Sequence, residues 1–448
     1  MRTIIENATV VTANSLDEVL PRGFVTIEDG AIVSVSQDPP EGAVDRRMDA
    51  AGKVVMPGLV NAHTHLFQTL IRGVYEHLPF TDWLRRIYDC GRVLTPDDCH
   101  VSAKLGALEA LRSGVTTLVD HHFLNRGSEL PSATVAGMRE LGLRTVLART
   151  IMDLGDLAPP EVLETPEHGL RSTEALIEQH RGDPLLTFMT GPNTPGASAS
   201  AELSRDVQRW AVERGLRVSM HVAESRGLTE AVRQRTGHEG VVAWLDANDA
   251  LGPNVLAAHS VHLTANEIGL YARHGVSVSH NPVSNMFLGD GIAHIAEMLH
   301  AGVNVALGTD GAASNNSQDM FEVLKMAPLL QRARTLDPHA ISPAQAIRMA
   351  TINGARALGL DHLTGSLEPG KRADLILLDL RGAAHTVAVH DVPSQIVYCA
   401  RPSNVELVMI DGHVLLDERE VIGFDEPRFL AEAQLAGEDL VRRLRENA

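Results

Sequence analysis

Several side chains in this chain could share a single ligand although they lie far apart in sequence. His63 and His65 flank one residue in "VNAHTHLFQ", and an extended strand projects residues i and i+2 to the same side. His221 in "SMHVAE", His259 in "LAAHSVH" and Asp310 in "LGTDGAASNN" each follow a β-branched or apolar run. Imidazole and carboxylate donors without thiolates suit a divalent ion, Zn²⁺ or Fe²⁺, that keeps one position open for water. Taken singly, each residue has a plainer explanation. A lone buried histidine is more often a hydrogen-bonded core residue, and an aspartate after a strand often caps the next helix. The case therefore rests on whether the fold brings them together.

Eight short β-branched or apolar runs punctuate the middle of the chain. They are "VVMPGLVNAHTHL", "VTTLVDHHF", "LRTVLART", "LLTFMTGPN", "RVSMHVAES", "VLAAHSVHL", "VSVSHNPVS" and "NVALGTDGA". Helix candidates such as "PDDCHVSAKLGALEALRSG", "SAELSRDVQRWAVERG" and "GIAHIAEMLHAG" lie between them, most ending in Gly. Eight strand–helix repeats predict an α/β fold, a (β/α)₈ TIM-type barrel. An open doubly wound sheet has no Gly-x-Gly-x-x-Gly after a strand to support it. In a barrel the C-terminal strand ends form one face, and the His and Asp residues all fall there.

The ends of the chain differ from its middle. Residues 1–56 and 366–448 carry short alternating strands with Asp-Gly and Ala-Gly turns, as in "GFVTIEDGAIVSVSQ" and "VELVMIDGHVLLD". Neither end is long enough to bury a core alone. They predict one small β-sandwich domain built from both termini, with the barrel, residues 57–365, inserted and "FLAEAQLAGEDLVRRLREN" as a closing helix.

Composition narrows the function classes. Over 448 residues, 44% hydrophobic and 21% charged content describes a globular protein. A net charge of −18 disfavours nucleic acid and anionic membranes as partners. Three cysteines (Cys90, Cys99, Cys399) without a CxxC pair give no disulfide framework and no thiolate zinc site. The first twenty residues lack a signal-peptide pattern and no apolar run approaches a membrane span, so a cytoplasmic location is expected.

Five motifs in order, "PGLVNAHTH", "MHVAE", "AAHSVH", "SHNPVSN" and "LGTDGAASNN", resemble the amidohydrolase superfamily. The likeness is to its metal-dependent aminohydrolases of aromatic heterocycles, covers nearly the whole chain, and extends to the tail "GSLEPGKRADLILLDL". The resemblance implies that His63, His65, His221 and Asp310 bind one divalent metal, Zn²⁺ before Fe²⁺. It implies that Glu224 shuttles protons, that His259 orients the attacking water and stabilises charge, and that Asp310 doubles as base. The chemistry is coherent on its own terms: water on a divalent ion deprotonates near neutrality, and a carboxyl of raised pKa can protonate the departing amine. The alternative for Glu224 is an exposed residue opening the next helix. The HxE and PCxxC pair of the other zinc deaminase architecture is absent.

Substrate residues should lie on loops after the same strands. Gln68 offers an amide for a ring edge, and Trp83 a face for stacking, although a core tryptophan is the plainer role. Arg149, with "RGVYEHLPFTDWL" and "LGTDGAASNNS", is similar to deaminases of S-adenosylhomocysteine and methylthioadenosine. Glutamine near position 68 is similar instead to guanine, 8-oxoguanine and hydroxytriazine enzymes. Two departures stand out. Asn193 occupies the place of a histidine in the nucleoside enzymes, and "RRIYDCGRVLT" lacks their ribose-binding glutamate. His280 is expected to shape the site, and one of His121 and His122 to reach substrate or ligands. The expected activity is hydrolytic loss of ammonia from a purine-, pterin- or triazine-like small molecule. The runner-up displaces chloride or an alkylamine from a triazine-type ring, and some chloride-displacing relatives lack the glutamate. A scaffold that has lost its metal is the distant alternative. A homodimer is expected by analogy only.

Overall fold

A computed structural model of the chain describes residues 1–447. Eight parallel strands form its centre, hydrogen-bonded in sequence order. They are β1 (Leu59–Asn61), β2 (Val115–His122), β3 (Arg144–Ile151), β4 (Leu186–Pro192), β5 (Arg217–Val222), β6 (Val255–His259), β7 (Ser277–His280) and β8 (Asn304–Leu307). Each lies in one of the eight runs, and β2 and β3 are buried throughout, as a parallel sheet covered on both faces requires. The barrel closes where β1 meets β8. Ala62 N donates to Leu307 O and Asp310 N to His63 O, both at 2.9 Å.

The first run divides in two. Val54–Pro57 pairs with the returning strand Leu375–Leu378 in a second sheet, and β1 starts only after Gly58. A Cβ at Gly58 would sit 2.0 Å from Thr116 Cγ2, so only glycine lets the chain cross between sheets here. His63 and His65 consequently lie just beyond regular strand, in a segment kept extended by the closure bonds (His65 φ −129°, ψ 90°).

Val60, Val119, Val146, Met189, Leu256 and Ala306 pack inside the barrel. Ala357, Leu358 and Leu360 plug its lower end, where Asn353 Nδ2 donates to Val305 O at 3.1 Å. Helices start where side chains can satisfy free N–H groups. Thr95 and Thr264 form capping boxes with Asp98 and Glu267, and Gly215 and Gly275 end their helices at positive φ. One helix is shorter than its sequence suggests. Of "GIAHIAEMLHAG" only Ile295–His300 is helical. Gly291 adopts φ +118° and Asp290 N is tied to Asn285 O (2.9 Å), which keeps 288–294 irregular.

Nine strands from the two chain ends share one mixed, largely antiparallel sheet. Its edge strand Ala31–Ser36 curls back, so that Ile32 N donates to Lys371 O at 2.8 Å. The sheet thereby wraps a core of Ile5, Val25, Ile32, Val55, Leu375 and Leu407 drawn from both ends. A buried ion pair, Arg144 Nε to Asp374 Oδ2 at 2.7 Å, fastens this sheet to the barrel. Among the described residues no helix is long and apolar enough to cross a membrane.

Strand spacing on the β4 side depends on a missing side chain. A Cβ on Gly191 would lie 1.7 Å from Ser219 O on β5, a backbone atom that cannot swing aside. Gly191→Ala should therefore cost about 1–3 kcal/mol or more, seen as a lower melting temperature by circular dichroism. An unchanged melt would contradict this packing.

Candidate active site

The strand ends converge as the barrel requires. His63 and His65 leave β1, His121 ends in β2, Asn193 follows β4, His221 lies in β5, His259 ends β6 and Asp310 follows β8. Four residues at these ends adopt left-handed backbone: Ala223 (φ +48°), His259 (+69°), Ser260 (+53°) and Asp310 (+67°). Such conformations are uncommon outside glycine and turn the chain sharply.

Backbone carbonyls set the orientation of two imidazoles. His65 Nδ1 donates to His121 O at 2.7 Å and His221 Nδ1 to Asn193 O at 3.0 Å. A carbonyl only accepts, so in the neutral rings each Nε2 carries a lone pair, and these two nitrogens face each other at 3.1 Å. Two acceptors that close repel unless a cation lies between them. His63 is fully buried, neither ring nitrogen has a hydrogen-bond partner among the described residues, and burial pulls its pKa down to about 4. Donor atoms of His63, His65 and Asp310 lie within 4.8 Å of one another. Neutral imidazoles around an ionised carboxylate fit a divalent ion. His121 is equally close to His63 and His221, but its own nitrogens are taken by Ser219 Oγ (2.9 Å) and Asn193 Oδ1 (3.1 Å).

Asp310 and Glu224 are driven in opposite directions. Burial alone would raise the Asp310 carboxyl, but the His63 and His65 rings, 3.5 and 3.2 Å from its Oδ1, hold it well below the usual range. Ser284 Oγ (2.6 Å), Ser314 Oγ (3.1 Å) and Gly311 N (2.8 Å) donate to it. Glu224 is buried rather than exposed at the start of the helix capped by Ser225. Burial, with Asp310 nearby, pushes its carboxyl well above normal, so it holds a proton. Its Oε1 lies 3.5 Å from His259 Nε2, and His259 Nδ1 is fixed by Asn285 Oδ1 at 2.9 Å. Ser284 and Asn285 sit inside the quoted "SHNPVSN", yet their roles depend on partners in other strands and are invisible locally.

Gln68, Trp83, Asn193, Glu224, His259 and Asp310 line a cavity that the helix Phe80–Asp89 covers. Its free space is only about 20 Å³, room for one water, so some of its walls must move to admit a ring. Gln68 Oε1 accepts from Ala313 N (3.2 Å) while its Nε2 has no partner among the described residues. Trp83 lines the cavity with its Nε1 donating to Ala313 O at 3.1 Å. The side chain of Asn193 is held by His121, Tyr88 OH (3.1 Å) and Ser198 Oγ (3.3 Å). His280 is buried, with burial then His259 lowering its pKa to about 3, and it does not line the cavity. His122 turns outward, near Thr134.

The structure does not bring Arg149 to the cavity. Thr150, its neighbour in β3, contacts His121 inside, so Arg149 faces the other way. There it forks onto Glu164 at 2.7 and 2.9 Å and donates to Gly169 O at 3.2 Å.

This barrel and site define a metal-dependent hydrolase, and comparison with known proteins identifies the family. The amidohydrolase family matches residues 54–415, and the chain belongs to it. A 5'-deoxyadenosine deaminase of Methanosarcina barkeri is 38% identical over 444 residues, 98% of this chain and 99% of that protein. The structure of an adenosine deaminase from Xanthomonas campestris with bound zinc superposes with a TM-score of 0.91 at 32% identity, covering 98% of each chain. That of an atrazine chlorohydrolase from Arthrobacter aurescens complexed with zinc gives 0.91 at 27% identity, covering 97% of this chain and 100% of that one. The chain is a hydrolase of C–N bonds in cyclic amidines, a deaminase of a heteroaromatic amine that uses a divalent metal ion.

The Arg149 fork has a measurable consequence. Glu164→Ala leaves a buried guanidinium unpaired and should cost about 3–5 kcal/mol in denaturant unfolding, with KM little changed. A large KM increase in a protein of normal stability would return Arg149 to the substrate site.

Proposed function

We propose that the chain is a zinc-dependent deaminase of an adenine nucleoside, exchanging the ring's exocyclic amine for oxygen and releasing ammonia. The observation that carries this reading is the protonated, buried Glu224 beside an ionised Asp310, both facing His259. Pairs of carboxyls with pKa values driven apart divide acid and base work between them.

His63, His65, His221 and Asp310 would hold the ion, and the three-histidine, one-carboxylate set supports zinc over softer or harder metals. A divalent ion there lowers the pKa of water towards neutrality and so supplies a nucleophile. Asp310 accepts the water proton on its carboxylate. Glu224 gives its proton to the ring nitrogen, and protons returned through the same carboxyl let nitrogen depart as ammonia, since an unprotonated amine would leave the adduct to revert. His259, steered by Asn285, points its Nε2 at the oxygen that gains negative charge and stabilises it. Gln68 Nε2 offers a free donor to the ring edge, and Trp83 lies over it.

Adenosine, 5'-deoxyadenosine, an aminopterin, an aminotriazine and a chlorotriazine form a sufficient panel for the zinc-loaded protein. Ammonia should appear from the adenine nucleosides. Chloride release with every amine inert would replace this reading with that of a chlorohydrolase. Glu224→Gln should keep its zinc but lower kcat by roughly 10²–10⁴-fold. Near-normal turnover would remove Glu224 from the mechanism.

A further inference from the structure

A cleft of about 870 Å³ opens beside the catalytic cavity, walled by residues 79–81, 225–227, 261–264 and 288–294. Three of these walls are continuous with the site: Ser225 follows Glu224, Val261 lies two residues after His259, and Phe80 lines both cavity and cleft. Phe80 is thus the side chain that stands between the two spaces.

One residue of this cleft has no structural purpose visible in its contacts. Asp290 is nine-tenths buried, yet its Oδ2 has no partner among the described residues. Leaving a buried carboxyl oxygen unpaired is costly unless a ligand completes it. Its position is not accidental. Asp290 N is bonded to the carbonyl of Asn285, the residue whose side chain fixes His259. His262 lines the same cleft, and its Nε2 is also buried without a partner among the described residues. Gly291 (φ +118°) lets the backbone pass against His262, where an added Cβ would already touch the ring at 3.7 Å. Arg226 and His294 border the same cleft. Burial, then Glu224, pushes the Asp290 carboxyl up to about 8, which leaves little charge to attract a cationic tail. A carboxyl that both donates and accepts, in one cleft with an unpartnered imidazole nitrogen, matches neutral hydroxyl groups.

We propose that this cleft is the subsite for a hydroxylated, uncharged substituent on the ring, a ribose-type sugar, and that Asp290 with His262 binds its vicinal hydroxyls. The proposal rests on the nucleoside-deaminase reading above and adds the residues that select nucleoside over free base. Asp290 is a specificity-determining residue that touches the sugar and leaves the reacting atoms to Glu224, His259 and Asp310.

The test compares adenosine, 2',3'-dideoxyadenosine and adenine on zinc-loaded wild type, Asp290→Asn and Asp290→Ala, by ammonia release and by calorimetric binding. Wild type should favour adenosine over the dideoxy compound by about 10–100-fold, the range for a hydrogen-bonded buried carboxyl. Asp290→Ala should erase that preference through KM and Kd, leave adenine binding and zinc content unchanged, and Asp290→Asn should retain part of it. An adenosine-to-dideoxyadenosine ratio unaffected by either variant overturns the subsite. Should wild type release no ammonia from any nucleoside, the deaminase reading fails, and the binding ratio still decides the subsite on its own. Melting curves of both variants identify any loss that comes from misfolding, and the asparagine form keeps the comparison valid if the alanine form unfolds.

Discussion

Three imidazoles and a carboxylate buried in contact would repel and destabilise one another unless the backbone dictated where each points. That dictation comes from one short set of bonds. Asp310 N to His63 O closes the barrel and at the same time binds the last donor of the chain to the first. His121 O and Asn193 O orient His65 and His221, and the side chains of these two acceptor residues are bonded to each other at 3.1 Å. Donors from three regions of the chain are thus fixed by neighbouring strands rather than by the metal. A preformed set of this kind would take an ion without reorganising the fold, and partners behind the ligands would govern its affinity.

The same burial produces the division of labour between the acids. Asp310 accepts from Ser284, Ser314 and Gly311 N and lies beside the His63 and His65 rings, so its charged form is favoured in spite of desolvation. Glu224 sits at the same depth with only His259 close by and another carboxyl near, so its neutral form is favoured. Hydrogen bonding to the charged form and desolvation act in opposite senses, and the difference in donors decides which prevails. A deaminase needs both states at one pH.

Much of this could be read from residue order. Eight apolar runs with polar ends specify strands whose C-termini meet, and the closed barrel makes His63, His65, His221, His259 and Asp310 neighbours whatever the loops do. Facing was less legible. Arg149 ends a run as His259 does, but a strand buried on both sides shows no alternation to tell inside from outside, and its partner Glu164 lies in a loop. Asn193 looked available for a substrate, whereas His121 and Tyr88 already hold its amide. Asp290 was hidden because apolar spacing in "GIAHIAEMLHAG" suggests a helix starting beside it. The left-handed Gly291 and the bond to Asn285 are tertiary facts that periodicity cannot carry.

Backbone strain completes the account of why chemistry and specificity are separable here. Ala223, His259, Ser260 and Asp310 each occupy a left-handed conformation that costs about 1–3 kcal/mol. Three of them are fixed by bonds between strand ends: Ser260 N to Val222 O, Val261 N and His262 N to Ala223 O, and Asp310 N to His63 O. These bonds belong to the barrel's rim, so the reactive side chains keep their aim when neighbouring loops change. The walls that meet a substrate, the helix Phe80–Asp89 and the irregular segment 288–294, hang from that rim and carry none of this strain except at glycine. Replacing Asp290 would therefore leave His259 in place, provided the Asn285 carbonyl still receives the amide of residue 290.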